Sequence, residues 1–106
     1  MSIPVAIDRL AETLADFDAG YLLTTADARV KAVSVVPTYA DGVLRIATPG
    51  RGSVANVGAN AVVTLLYPPR EAPGFSLLVD GTAVVDGDNV VVTPGSAILH
   101  KPAVGA

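Results

Sequence analysis

From Gly20 onward the sequence is cut into short runs by residues that demand a turn: Ala26-Asp27-Ala28, Asp41-Gly42, Pro49-Gly50-Arg51-Gly52, Pro68-Pro69, Asp86-Gly87-Asp88 and Pro94-Gly95. Between them lie stretches rich in Val, Leu, Ile, Thr and Tyr, too short for stable helices and of the right length for strands. The first turns predict three antiparallel strands, over residues 21–25, 29–39 and 43–48. Residues 61–67 form a near-continuous apolar run, which reads as a strand buried on both faces. Residues 75–85 and 89–93 flank Asp86-Gly87-Asp88 as a last hairpin around an Asp-Gly turn. Pro94 and Gly95 interrupt again, which leaves 97–100 as a short element before a tail.

Helical spacing occurs in two places. Ile7, Leu10, Leu14 and Phe17 recur at intervals of three, four and three, while Asp8, Glu12 and Asp16 fall on another face. With Pro4 in a first turn and Gly20 as a C-terminal cap, the pattern predicts a helix over 4–18. After the Pro49–Gly52 break, Ser53 is placed to cap a short helix carrying Val54 and Val57 inward. The expected fold is mainly β with two helices: about six antiparallel strands in a small barrel, an N-terminal helix, and a short helix after strand three. Closure would remove exposed sheet edges. All 106 residues belong to one domain, with 94–106 a short element and tail.

Composition narrows the chemistry. A chain of this length supports one core but not a deep internal cavity, so sites on it tend to be shared between copies. Hydrophobic residues make up 51% of it, and runs such as Val62-Val63-Thr64-Leu65-Leu66 face both ways, which predicts a two-fold dimer with an interface rich in Val, Ala and Leu. Without cysteine there are no disulfides, thiolate metal sites or cysteine nucleophiles. His100 is the sole histidine and has no acidic cluster beside it, so no metal site or triad is assembled around it. The first twenty residues carry Asp8, Arg9, Glu12, Asp16 and Asp18 where a signal peptide needs an apolar core, and no run is long enough to span a membrane. A soluble cytoplasmic protein is the expectation. A pI near 4.7 argues against a nucleic-acid partner.

One segment carries recognisable ligand chemistry. A phosphate needs backbone N–H groups at a helix start, a hydroxyl donor and a cation, and Gly50-Arg51-Gly52-Ser53 offers all three. Arg51 is the cation. The same four residues also read as a surface turn with an exposed Arg and an N-capping Ser.

The order of elements, with Tyr21-Leu22-Leu23-Thr24-Thr25 opening the sheet, Asp41-Gly42 leading a strand into Thr48, and a Gly/Ser loop starting a helix that ends near Asn60, resembles the flavin-binding split β-barrel family typified by pyridoxamine 5′-phosphate oxidase. The closing Val92-Thr93-Pro94 to Leu99-His100-Lys101-Pro102-Ala103 is similar to the endings of short uncharacterised members. The resemblance covers nearly the whole chain. It implies a homodimer with flavin mononucleotide (FMN), or in some branches a deazaflavin, in two symmetric clefts between subunits. It also implies oxidoreductase-like chemistry in which no protein nucleophile is required. Cofactor contacts would come from Val33 and Ser34 on strand two, from Thr48, Arg51, Gly52 and Ser53, and from His100 and Lys101 reaching across the dimer.

The chain departs from the family where relatives carry a Lys or Arg in the helix after the loop, since the matching positions are Ser53 or Val54. A second cation often stands where Val33 is, with Lys31 two residues away on the same strand face. That departure keeps a second reading open, a cofactor-free dimeric barrel acting as a binding or scaffold protein.

Overall fold

The computed structural model of the chain describes residues 1–102. Eight strands form one antiparallel sheet: β1 (Ser2–Val5), β2 (Gly20–Ala26), β3 (Arg29–Val35), β4 (Thr38–Ala40), β5 (Val43–Ile46), β6 (Val62–Tyr67), β7 (Ser76–Asp86) and β8 (Asn89–His100). Two helices interrupt them, α1 (Leu10–Leu14), entered through a 3-10 turn at Ile7–Arg9, and α2 (Arg51–Ala59). The strand order is β3-β2-β6-β7-β8-β5-β4, with β1 added beside β8. The long β8 serves β5 along its first part, where Val90 faces Ile46, and β1 along its last, where His100 faces Ser2. The sheet curls but does not close, which gives a split barrel of eight strands rather than about six. No helix among the described residues is long and apolar enough to cross a membrane.

The inner face carries the core. Leu22, Leu44, Ile46, Val63, Leu65, Leu77, Val79, Val90 and Val92 are buried there, with Leu10 of α1 and Val57 of α2 closing it. Burial along β6 alternates, with Val63, Leu65 and Tyr67 inside, Val62 exposed, and Thr64 and Leu66 half-buried. The strand expected to be buried on both faces is therefore buried on one, because nothing among the described residues covers the sheet's outer face at Val62.

The N-terminus corrects the sequence reading most. Residues 2–5 are a strand, in which Pro4 sits opposite Ile98 at the side of the sheet, where a missing N–H is tolerated. The α-helix has five residues and stops at Leu14, and Gly20 opens β2 instead of capping a helix. Its apolar stripe reaches the core at three of its four positions, since Leu10 is fully buried and Leu14 and Phe17 pack on the core, while Ile7 is only half-buried. Three-residue hydrogen bonds from Asp16 to Thr13 and from Phe17 to Leu14 carry the spacing past the helix end.

Residues 29–39 form two strands because Val36-Pro37 breaks the ladder between β3 and β4. The next strand ends at Ile46, and Thr48 adopts a left-handed φ of +41°. Residues 94–100 are no separate element. β8 runs through Pro94 with a register shift, pairing Gly81 with Pro94 and Asp80 with Ser96, so that Gly95 is the extra residue of a bulge. Gly81 is required there, since a Cβ would collide with the Thr93 carbonyl oxygen.

Candidate functional site

The start of α2 gathers backbone N–H groups that have no partner within the helix. Gly50, with φ +104°, turns the chain into the helix and offers no side-chain cap. Val54 N–H donates to the Gly50 carbonyl at 3.0 Å, so the N–H groups of Arg51, Gly52 and Ser53 precede the first intrahelical bond. The preceding loop is tied down by Thr48 N–H, which donates to Asn89 Oδ1 at 3.0 Å. Ser53 corrects the capping expectation, because it is the third helical residue and fully buried rather than the cap. Its hydroxyl is the one buried side-chain polar atom among the described residues with no hydrogen-bond partner.

Lys31 reaches the start of α2 from another element. On β3 it shares a face with Val33 and Val35 and stands opposite the buried Thr24 of β2. Asn56 Nδ2 of α2 donates to Thr24 Oγ1 at 3.1 Å, which lays the helix across β2 next to Lys31. A Cβ placed on Gly52 would lie 2.9 Å from Lys31 Cε and 3.2 Å from Nζ, so the absence of that atom is what lets the lysine rest on the helix start. The two ion pairs among the described residues, Arg9–Glu12 and Arg70–Asp18, leave Lys31 and Arg51 unpaired. Two unpaired cations at the positive end of a helix dipole are unfavourable until an anion joins them.

Two open concavities include these residues in their linings. One of about 440 Å³ is lined by Thr48, Gly50, Arg51, Val54, Ala55 and Asp88. The other, of about 630 Å³, is lined by Ala26, Asp27, Arg29, Val30, Lys31 and Asn56.

No family model matches the chain. It is 33% identical over 116 aligned positions to an uncharacterised protein of Mycobacterium bovis and equally to one of Mycobacterium tuberculosis, spanning 93% of this chain and 82% of each relative. The chain belongs to their family. Among solved structures it superposes on an FAD-binding protein of Mycobacterium smegmatis (TM-score 0.67, 19% identity, 95% of this chain and 100% of that one). It also superposes on an FAD-binding protein of Mesorhizobium loti (0.68, 16%, 93% and 96%). A third match is a Listeria innocua protein proposed to be a pyridoxamine 5′-phosphate oxidase (0.68, 16%, 88% and 96%). The fold is that of the pyridoxamine 5′-phosphate oxidase-like split barrels.

Within one split barrel, Lys31, Thr48, Arg51, Gly52 and Ser53 come together and the other expected contacts do not. Val33 packs half-buried against the core opposite Leu22. Ser34 lies on the other face of β3, exposed beside Tyr21. His100 and Lys101 stand at the far end of the 12-residue β8 from Asn89, roughly 35 Å away at ~3.3 Å per residue. There His100 Nδ1 lies 3.0 Å from Ser2 Oγ, and Lys101 Nζ sits 4.8 Å over the Phe75 ring. Sequence reasoning missed Asn56 and Asn89, whose amides fix the helix and the loop, because their partners lie 32 and 41 residues away.

Proposed function

We propose that this split barrel binds a flavin nucleotide through its phosphate at the start of α2 and works as a homodimeric oxidoreductase. The observation that carries the reading is the seat of Lys31 on Gly52, beside Arg51, with neither cation paired. At Ser53 and Val54, where the resemblance implies a basic residue, the helix has none, and β3 supplies Lys31 from outside it. Each charge-assisted hydrogen bond to a phosphate is worth roughly 1.5–3 kcal/mol, so two cations and the first-turn N–H groups suffice for anchoring. The FAD-binding names of two structural neighbours support the ligand class. A bound isoalloxazine ring supplies the electron transfer. The chain's own residues would hold the phosphate: Lys31 and Arg51 by charge, Gly52 by an N–H free of any side chain, Thr48 at the loop's mouth.

Titration of the purified chain with FMN, followed by flavin fluorescence, tests the reading. Arg51→Ala should weaken binding at least tenfold, about 1.4 kcal/mol, while the melting temperature of the cofactor-free protein stays nearly unchanged. No saturable binding by the wild type would instead favour a cofactor-free scaffold.

A further inference from the structure

Independently of the flavin reading, we infer that the chain carries a second ligand site, which takes a small organic cation: a protonated amine on an apolar or aromatic body. The site is an open cavity of about 450 Å³ lined from α1, from the turn after it, from the β6–β7 loop and from the ends of β7 and β8. That is a volume usual for small-molecule sites. Its lining includes Leu99, at the end of β8 away from Asn89, and Asn89 is the residue that holds the loop before α2. The sequence builds one wall by spacing. Glu12 and Asp16 fall four apart on the acidic face of the N-terminal stripe, with Thr13 and Phe17 four apart next to them. A carboxylate edge therefore adjoins an aromatic ring and a hydroxyl. Phe17 and Leu99 both pack on the core, so this part of the lining is fixed. Arg70 ties the other wall to it, since Nε donates to Asp18 Oδ1 at 3.1 Å and Nη2 to the Ala15 carbonyl at 3.0 Å. The loop itself is tight: a Cβ on Gly74 would lie 2.9 Å from the Glu71 carbonyl oxygen and from Pro69 Cβ.

The charges decide the ligand. Glu12, Asp16 and Arg70 line the cavity, and two of them are already neutralised, Glu12 by Arg9 at 3.1 Å and Arg70 by Asp18 at 3.0 Å. Asp16 enters no ion pair or side-chain hydrogen bond among the described residues. The Thr13 hydroxyl donates to the Arg9 carbonyl at 3.3 Å and keeps its lone pairs as acceptors. What is left for a ligand is one carboxylate, one acceptor hydroxyl and the rings of Phe17 and Phe75. That set favours a single positive charge bearing N–H groups and repels an anion. A separate observation points the same way. Lys101 Nζ sits 4.8 Å over the Phe75 ring, so a ring of this lining already draws an ammonium from the chain itself. A ligand ammonium would gain the same kind of ring contact together with the ion pair to Asp16 that Lys101 does not make.

Titration of the full chain with phenethylamine, followed by backbone amide NMR shifts, reads affinity and location together. Phenethyl alcohol and hydrocinnamate serve as neutral and anionic probes of similar shape. The amine should bind at least tenfold tighter than the alcohol, with the carboxylate weakest and the largest shifts at residues 12–17 and 69–75. Asp16→Asn, at an exposed position, should remove the amine's advantage over the alcohol, whereas Glu12→Gln, whose carboxylate is already paired, should change it far less. Lys101→Gln takes away a neighbouring like charge and should raise affinity for the amine severalfold while leaving the alcohol unchanged. Circular dichroism should show all three variants folded. Equal affinity for amine and alcohol, or an advantage that survives in Asp16→Asn, overturns the cation site. Shifts confined to other parts of the chain, or no saturable binding of the amine, overturn it as well. The FMN titration reads α2 and stands or falls separately.

Discussion

Gly52 decides how close a cation can come to the helix start. Its missing side chain is the space Lys31 occupies, and the atoms it faces are the flexible end of that lysine. Gly52→Ala should therefore displace Lys31 at little cost, with the helical preference of Ala offsetting the crowding, within about 0.5–1 kcal/mol of wild-type stability. Affinity for FMN should fall severalfold in the same titration that tests Arg51. Arg51 is legible in the sequence because its neighbours are Gly, Gly and Ser, whereas the seat of Lys31 depends on the β2–β3 register and on the crossing of α2. A second residue gives a pH signature. Burial pushes the Tyr67 hydroxyl up from 10.0 to about 12. The folded chain keeps this proton between pH 10 and 12 while the unfolded chain loses it, so stability is complete below pH 10 and falls as pH rises, by up to about 1.4 kcal/mol per unit. Urea unfolding across that interval should show a steeper decline for wild type than for Tyr67→Phe.

Among the elements, α1 tests how far a periodic stripe can be trusted. Leu10 is fully buried and Glu12 is exposed on the other face, paired only with Arg9. Leu10→Ala should cost roughly 2–5 kcal/mol and Glu12→Ala less than about 0.5 kcal/mol, measured by denaturant midpoint. The stripe gave the buried face correctly but not the helix length, because a 3-10 turn, five α residues and two three-residue hydrogen bonds reproduce the same spacing from Ile7 to Phe17. Strands bounded by Asp-Gly turns, such as β5 and β7, were legible because the turn is local chemistry. β1 was not, since Ser2-Ile3-Pro4-Val5 becomes a strand only through a partner more than 90 residues away in β8. Pro94 misled for a related reason, since the bulge at Gly95 and the small Gly81 opposite let a proline lie inside a continuous strand. The chemistry of Gly50-Arg51-Gly52-Ser53 was legible, and Lys31 only as a neighbour of Val33 in sequence.

At the scale of the molecule the unresolved balance is the outer face of the sheet. Cross-strand pairs link Tyr21 to Leu66, Leu66 to Leu78, Leu78 to Ile98 and Ile98 to Pro4, so one apolar row crosses β2, β6, β7, β8 and β1. Tyr21 is 42% exposed and Val62 65%, and no element among the described residues packs over them. A sheet surface of this kind is most cheaply covered by its own copy, since a two-fold axis presents the same row to itself. Light scattering at micromolar concentration should then give twice the 10.7 kDa chain mass. Tyr21→Glu leaves the core untouched but would bring like charges together across such an axis and take both out of water, so it should yield the single-chain mass with unchanged circular dichroism. A wild-type mass of one chain would show the face to be free, and the proposed flavin site would have to be complete within one barrel.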